Sequence, residues 1–149
     1  MVKNFDISTL ILYSLCDVRR TSHKTGVQTE TVAPHCALVI RKSGRSTYKV
    51  GKHAYCATPD KVLFIAKGTP YSMTVDKAGE CTVVEFDVAD AQLERELEGG
   101  GICEYITTGD KNIQRQAKSL LQYFGLRGPA YFSKCFSELY NLITQISTV

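Results

Sequence analysis

His53 and Cys56 form an HxxC pair, and His35 stands directly before Cys36. Imidazole and thiolate at short spacing are the donors of a zinc site. Both pairs, however, fall in stretches that read as strands, where successive side chains point to opposite faces. Residues one or three apart then cannot reach one ion. No protein-built metal centre is expected, and no cofactor. The six cysteines stand at 16, 36, 56, 81, 103 and 135, spaced by twenty or more residues and without a CxxC. That pattern reads as reduced, packed thiols and not as a disulfide framework.

Carboxylate and nucleophile chemistry find no better support. Glu94, Glu96 and Glu98 lie in "ADAQLERELEGGG", which reads as a short charged helix ended by glycines. Residues two apart on a helix do not share a face, so these carboxylates are expected to be solvated. The chain holds no GxSxG, HExxH, Walker A or GxGxxG pattern, and only three histidines. A cysteine nucleophile would need a neighbouring base, which a linear sequence does not place. No catalytic residue is assigned, and the expectation is that the chain is not an enzyme.

The elements that must position any site come from a single domain's worth of chain. With 149 residues, 44% of them hydrophobic and 22% charged, it can bury most of its apolar surface around one core. A formal charge of +3 is too small to mark a nucleic-acid surface by itself. The charge is uneven, with nine Lys and Arg against three Asp and Glu in residues 1–55, and nine against twelve thereafter. This reads as a solvated basic face. No run approaches the roughly 18 apolar residues that span a bilayer. "LILYSL" at 10–15 follows acidic Asp6 and lacks a cleavage site, so it reads as a buried strand. A cytoplasmic protein without membrane contact is expected.

Up to residue 88 the apolar runs are short: "TLILYSL", "CALVI", "STYKV", "HAYCA", "KVLFIA", "YSMTV" and "CTVVEFDV", separated mostly by Gly and Pro. Short strands at near-regular spacing predict an antiparallel sandwich or small barrel. "DKVLFIAKGTPYSM" reads as a tight hairpin around Lys-Gly-Thr-Pro. After residue 103 the rhythm changes. Ile113, Ala117, Leu120, Leu121 and Phe124 recur at helical steps, with Asp110 placed to cap the start and Gly125 to end it. A second helix opens near Pro129, with Phe132, Cys135, Phe136, Leu139, Leu142, Ile143 and Ile146 along one side. The fold class is therefore mainly β with C-terminal helices, the last two forming an antiparallel hairpin joined by "GLRG".

"CALVIRKSGRSTYKVGKHAYCATPDKVLFIAKGTPYSMTV", followed by "GECTVVEFDV", resembles the cupin-like effector domain at the N-terminus of AraC-type bacterial transcription regulators. The shared features are a strand ending in Arg41 and Gly44, a Tyr48 strand closed at Gly51, a turn at Pro59, the "VLFI" strand, the "KGTPY" turn and a strand ending in Phe86. "YFSKCFSELYNLI" resembles the family's dimerisation helices, so the likeness covers residues 35–149. The family's Pro-Gly-Asp turn reads Pro59-Asp60-Lys61 here, and its Pro before Lys-Gly is Ala66. Metal-binding cupins often carry a histidine where this chain has Tyr71.

The resemblance implies a cupin-like barrel of the jelly-roll type over residues 1–100 and a helical hairpin over 101–149. It also implies a DNA-binding domain with two helix-turn-helix units beyond Val149, through which alone the protein would contact DNA. Strand alternation puts Tyr71 and Met73 on one face, and Cys81, Val83 and Glu85 on one face of the next strand. By resemblance these faces look into the barrel, where, with Tyr48, they would hold a small-molecule effector. Thr82, Val84 and Phe86 would pack behind, towards the helices. Tyr48 and Arg41 are the weaker candidates, with the outer face favoured for Arg41. Leu120, Leu121, Phe124, Phe136, Leu139, Leu142 and Ile143 need burial, some against the barrel and the remainder in a homodimer interface. The alternatives are a free-standing cupin enzyme, isomerase or dioxygenase, acting on a sugar or small acid, and a dimerisation module whose barrel is collapsed.

Overall fold

The computed structural model describes residues 6–88, 101–108 and 110–148. The expected helix around Glu94, Glu96 and Glu98 lies outside the described residues. A 3-10 turn at Ile7–Thr9 precedes nine strands: β1 (Leu12–His23), β2 (Gln28–Val32), β3 (Cys36–Arg41), β4 (Arg45–Val50), β5 (His53–Ala57), β6 (Lys61–Ile65), β7 (Pro70–Lys77), β8 (Gly79–Val88) and β9 (Ile102–Ile106). Two helices follow, α1 (Lys111–Leu126) and α2 (Tyr131–Thr148).

The strands form two antiparallel sheets, one ordered β1-β8-β3-β6-β9 and the other β2-β7-β4-β5. This is a mainly β, cupin-like jelly roll with a C-terminal helix pair, as the sequence led one to expect. Its turns rest on close backbone approach. Gly44, at φ +77°, would place a Cβ 2.5 Å from the Lys77 carbonyl oxygen, so the β3–β4 turn accepts no larger residue there.

All six residues of β3 are buried, because this central strand is covered on both sides. Its alternate residues feed two cores. Ala37 and Val39 join Tyr48, Leu63, Ile65 and Cys81 between the sheets. Leu38 and Ile40 join Val62, Phe64, Val84 and Phe86 between the five-stranded sheet and the helices. Val84 and Phe86 therefore pack towards the helices, and Cys81 and Val83 away from them.

Three expectations change. The stretch from Lys61 to Met73 is not a hairpin: β6 pairs with β3 and β9 in one sheet, while β7 pairs with β2 and β4 in the other. Its Lys-Gly-Thr-Pro segment turns a corner between sheets. The boundary at residue 100 also moves, since β9 completes the five-stranded sheet and shares its core with the helices. The N-terminal run is buried on one side only: Leu10 and Leu15 enter the helix-side core, while Ile11 and Tyr13 are 61% and 75% exposed, β1 lying at the sheet edge.

The helices form as their periodicity predicts, with a different face assignment. The Asp110 carboxylate caps α1, accepting from the Asn112 backbone N–H at 2.8 Å and from Gln145 Nε2 at 2.5 Å. Asp110→Ala should lower unfolding stability by about 1–2 kcal/mol, read as a shifted urea midpoint at unchanged slope. Gly125 does not end the helix. The left-handed cap is Arg127, at φ 49°, whose N–H bonds the Tyr123 carbonyl. Leu120, Leu139, Leu142 and Ile143 are at most 3% exposed in the single chain, packed on the sheet. They cannot be a dimer surface, because their burial is already complete. Leu121, Phe124 and Phe136 are only partly buried. Among the described residues no helix is long and apolar enough to cross a membrane.

Candidate ligand-binding site

The inner faces of the two sheets enclose a cavity of about 170 Å³. Tyr48, Tyr71, Met73, Cys81, Val83 and Glu85, the residues singled out in the sequence, all line it. Register accounts for this. Tyr48 on β4 lies opposite Met73 on β7, and Val39 on β3 lies opposite Val83 on β8, so residues in phase on each strand face the same space. The rings of Tyr48 and Tyr71 meet at 5.5 Å between centroids, tilted by 40°. Burial pushes both phenols above their ordinary pKa, Tyr48 strongly, so they stay protonated as hydrogen-bond donors.

Two cations line the cavity that periodicity did not assign there. Arg19 from β1 pairs with Glu85 and reaches Asp17 at 3.1 Å, which supplies the donor that a half-buried glutamate needs. Arg41 was expected on the outer face and instead lines the cavity at 4% exposure. The reason is visible in "CALVIR": Arg41 is in phase with Ala37 and Val39. Because Leu38 and Ile40 are equally apolar, alternation alone could not say which face was inner.

The surroundings of Arg41 are unusual for a buried guanidinium. One terminal nitrogen donates to the Ser43 carbonyl at 2.9 Å, the other to Ser46 Oγ, and Nε has no partner among the described residues. Among the described residues no carboxylate lies within ion-pair distance of it. Among those residues this nearly fully buried cation meets neutral acceptors alone, which leaves its charge unbalanced by them beside a cavity. Burial raises the Cys81 thiol pKa, with Arg41 pulling the other way, so Cys81 stays a neutral wall residue.

At the end of β1 and β8 three further groups meet. Cys16 Sγ lies 3.4 Å from His35 Nδ1, which lies 2.9 Å from Asp87 Oδ1. Burial opposes the Asp87 carboxylate, yet the His35 and Cys16 hydrogen bonds outweigh it and hold its pKa below the ordinary value. His35 also lines the cavity. Neither this trio nor Arg19 carried a local sequence signal, because its members come from separate strands.

A jelly roll with a chamber between its sheets and two helices behind one sheet is a cupin-like domain. No protein-family model matches the sequence, and no curated protein does. Solved structures do. ToxT from Vibrio cholerae O395, bound to (E)-4-(8-methylnaphthalen-1-yl)but-3-enoic acid, superposes with a TM-score of 0.55 at 10% identity, over 92% of this chain and 59% of ToxT. An apo ToxT variant from V. cholerae strain SCE256 gives 0.53 at 11% identity, over 88% and 54%. A cupin-2 domain protein from Shewanella frigidimarina overlaps less, with a TM-score of 0.42 at 8% identity, over 46% of this chain and 68% of that one. ToxT belongs to the AraC family, and the likeness agrees in fold with the resemblance drawn from the sequence. The chain spans between 54% and 59% of the ToxT chains it matches.

Proposed function

We propose that this chain is the ligand-sensing and dimerisation unit of an AraC-type transcription regulator, and that its effector is a small molecule bearing an acid group. The observation that carries this reading is Arg41, a buried guanidinium at a chamber wall that meets no carboxylate among the described residues. An incoming carboxylate or phosphate would supply a counter-charge, while Tyr48, Tyr71, Met73 and Val83 offer rings, a thioether and an aliphatic wall to its remainder. The chamber is smaller than the about 300–1,000 Å³ of drug-sized sites, which favours a compact metabolite. ToxT, similar in fold, binds a carboxylic acid in one of its solved structures.

The sensing step is a population shift. An effector that prefers one arrangement of the N-terminal segment and helix pair would change how linked DNA-binding domains are presented. Equal affinity for both arrangements in the intact regulator would refute it. The binding test is a thermal-shift panel of small carboxylates and phosphates against neutral sugars of similar size. Binding to the native state alone must raise the melting temperature, so the acids should raise it and the sugars should not. No response to any acid would remove the reading. Stoichiometric iron or manganese in the purified protein would favour the enzyme alternative.

The dimer is assigned to the tip of the helix pair. There Leu126 is 80% exposed and Phe132 47%, beside the partly buried Leu121, Phe124 and Phe136. Phe132 and Phe136 meet edge-to-face at 4.7 Å, and Arg127 lies over the Phe124 ring at 4.6 Å. Leu126→Asp with Phe132→Asp should turn a dimer into a monomer in sedimentation equilibrium, with an unchanged circular dichroism spectrum. A wild-type chain that is monomeric at tens of micromolar in the presence of its effector would refute this assignment.

A further inference from the structure

We propose that Cys16, His35 and Asp87 form a binding site for one divalent cation of the zinc class, at the margin of the chamber that His35 also lines. The three side chains come from neighbouring positions across β1, β8 and the entry to β3. Cys36 pairs with Phe86, which sets His35 next to Asp87. Cys16 is brought in by a bulge: Leu15 lies opposite Phe86 and Asp17 opposite Glu85, leaving Cys16 as the extra residue. As a result Leu15 and Val18, three apart, both enter the helix-side core, which simple alternation forbids. Bulges re-aim side chains and recur beside functional sites.

The geometry suits a metal better than a catalytic relay. One donor atom from each residue lies within 4.8 Å of the others. Sγ to Nδ1 is 3.4 Å, Nδ1 to Oδ1 is 2.9 Å and Sγ to Oδ2 is 3.5 Å. Ligand atoms around a tetrahedral zinc lie about 3.3–3.6 Å apart; the two Asp87 oxygens meet different partners here, so a turn of that carboxylate, on the order of 1 Å, brings one oxygen to the ion together with Sγ and Nδ1. Both contacts of the imidazole fall on the same nitrogen, Nδ1, whereas a nucleophile relay uses the two ring nitrogens for different partners. Thiolate, imidazole and carboxylate together select zinc, and not magnesium or calcium, which take oxygen ligands. His35 and Asp87 side chains are 35% and 27% exposed, which leaves a path for the ion and room for water as a fourth ligand. Other polar neighbours among the described residues include Ser14 Oγ, 3.6 Å from the sulfur, Lys67, whose charge acts on Asp87, and Glu85, whose charge acts on Cys16.

The test is calorimetric titration of the reduced chain with zinc, and optical titration with cobalt(II) as a spectroscopic stand-in. One equivalent should bind, with a sulfur-to-cobalt charge-transfer band. Cys16→Ser and Asp87→Asn keep hydrogen-bonding groups in place for the fold. Cys16→Ser should abolish the band, and each variant should weaken zinc binding by more than about 100-fold, beyond what loss of an outer-shell partner costs. Cys56→Ser, a half-exposed thiol elsewhere, should change neither. Neither test variant touches the chamber lining, so failure here is separable from failure of the effector reading. Absence of binding, or one-equivalent binding unaltered in both Cys16→Ser and Asp87→Asn, would overturn the site and leave the trio a hydrogen-bonded cluster.

Discussion

Arg41→Met should weaken acid binding by roughly 30-fold or more while leaving the ligand-free fold within about 1 kcal/mol of its original stability, because two costs oppose each other. The substitution removes a buried guanidinium that meets no carboxylate among the described residues; exchanging buried ions for apolar groups of similar volume is often neutral or stabilising by about 1–4 kcal/mol. It also strips donors from the carbonyl of Ser43, an exposed residue, and from Ser46, which is 1% exposed; an unmet buried acceptor such as Ser46 Oγ costs about 1–3 kcal/mol. With an acid bound, the balance is lost. Truncating one member of a buried charged pair costs about 2–5 kcal/mol, a drop of roughly 30-fold to several thousand-fold in affinity. Calorimetry with the best acid from the thermal-shift panel reads the effect directly. An affinity within threefold of wild type would mean that the acid, if held at all, is held elsewhere.

The largest loss of stability should come from Phe86→Ala. Phe86 is fully buried between the five-stranded sheet and the helices, its ring 6.3 Å from that of Phe64 at 29°. Truncating a buried phenylalanine costs about 3–5 kcal/mol, since lost transfer energy and the residual void add. Domains of this kind are stable by only about 5–15 kcal/mol, so urea unfolding should shift far towards zero denaturant. Val83→Ala, on the chamber side of the same strand, should cost much less because that wall already borders empty space. Equal losses at the two positions would contradict the division into a tightly packed helix-side core and an open inner chamber.

Much of this was legible in the chain because it is local. Period-two alternation alone puts Tyr71 with Met73 and Cys81 with Val83 and Glu85, and helical spacing alone marks the apolar stripes of α1 and α2. Asp110 could be read as a cap from its position before Asn112, since the bond it makes spans two residues. Such patterns depend on neighbours a few positions away, and those are fixed by the backbone geometry of each element.

Tertiary structure decided what each face meets. It made the segment after "KVLFI" a corner between sheets, when the same turn residues would also suit a hairpin. It turned Arg41 inward, where "CALVIR" offered two equally apolar faces. It spent Leu120, Leu139, Leu142 and Ile143 on the sheet, when the same stripe would have served a partner copy. It joined Cys16, His35 and Asp87 across separations of 19, 52 and 71 positions through a bulge that no local pattern announces. Periodicity says which residues point together. Only long-range pairing and packing say towards what.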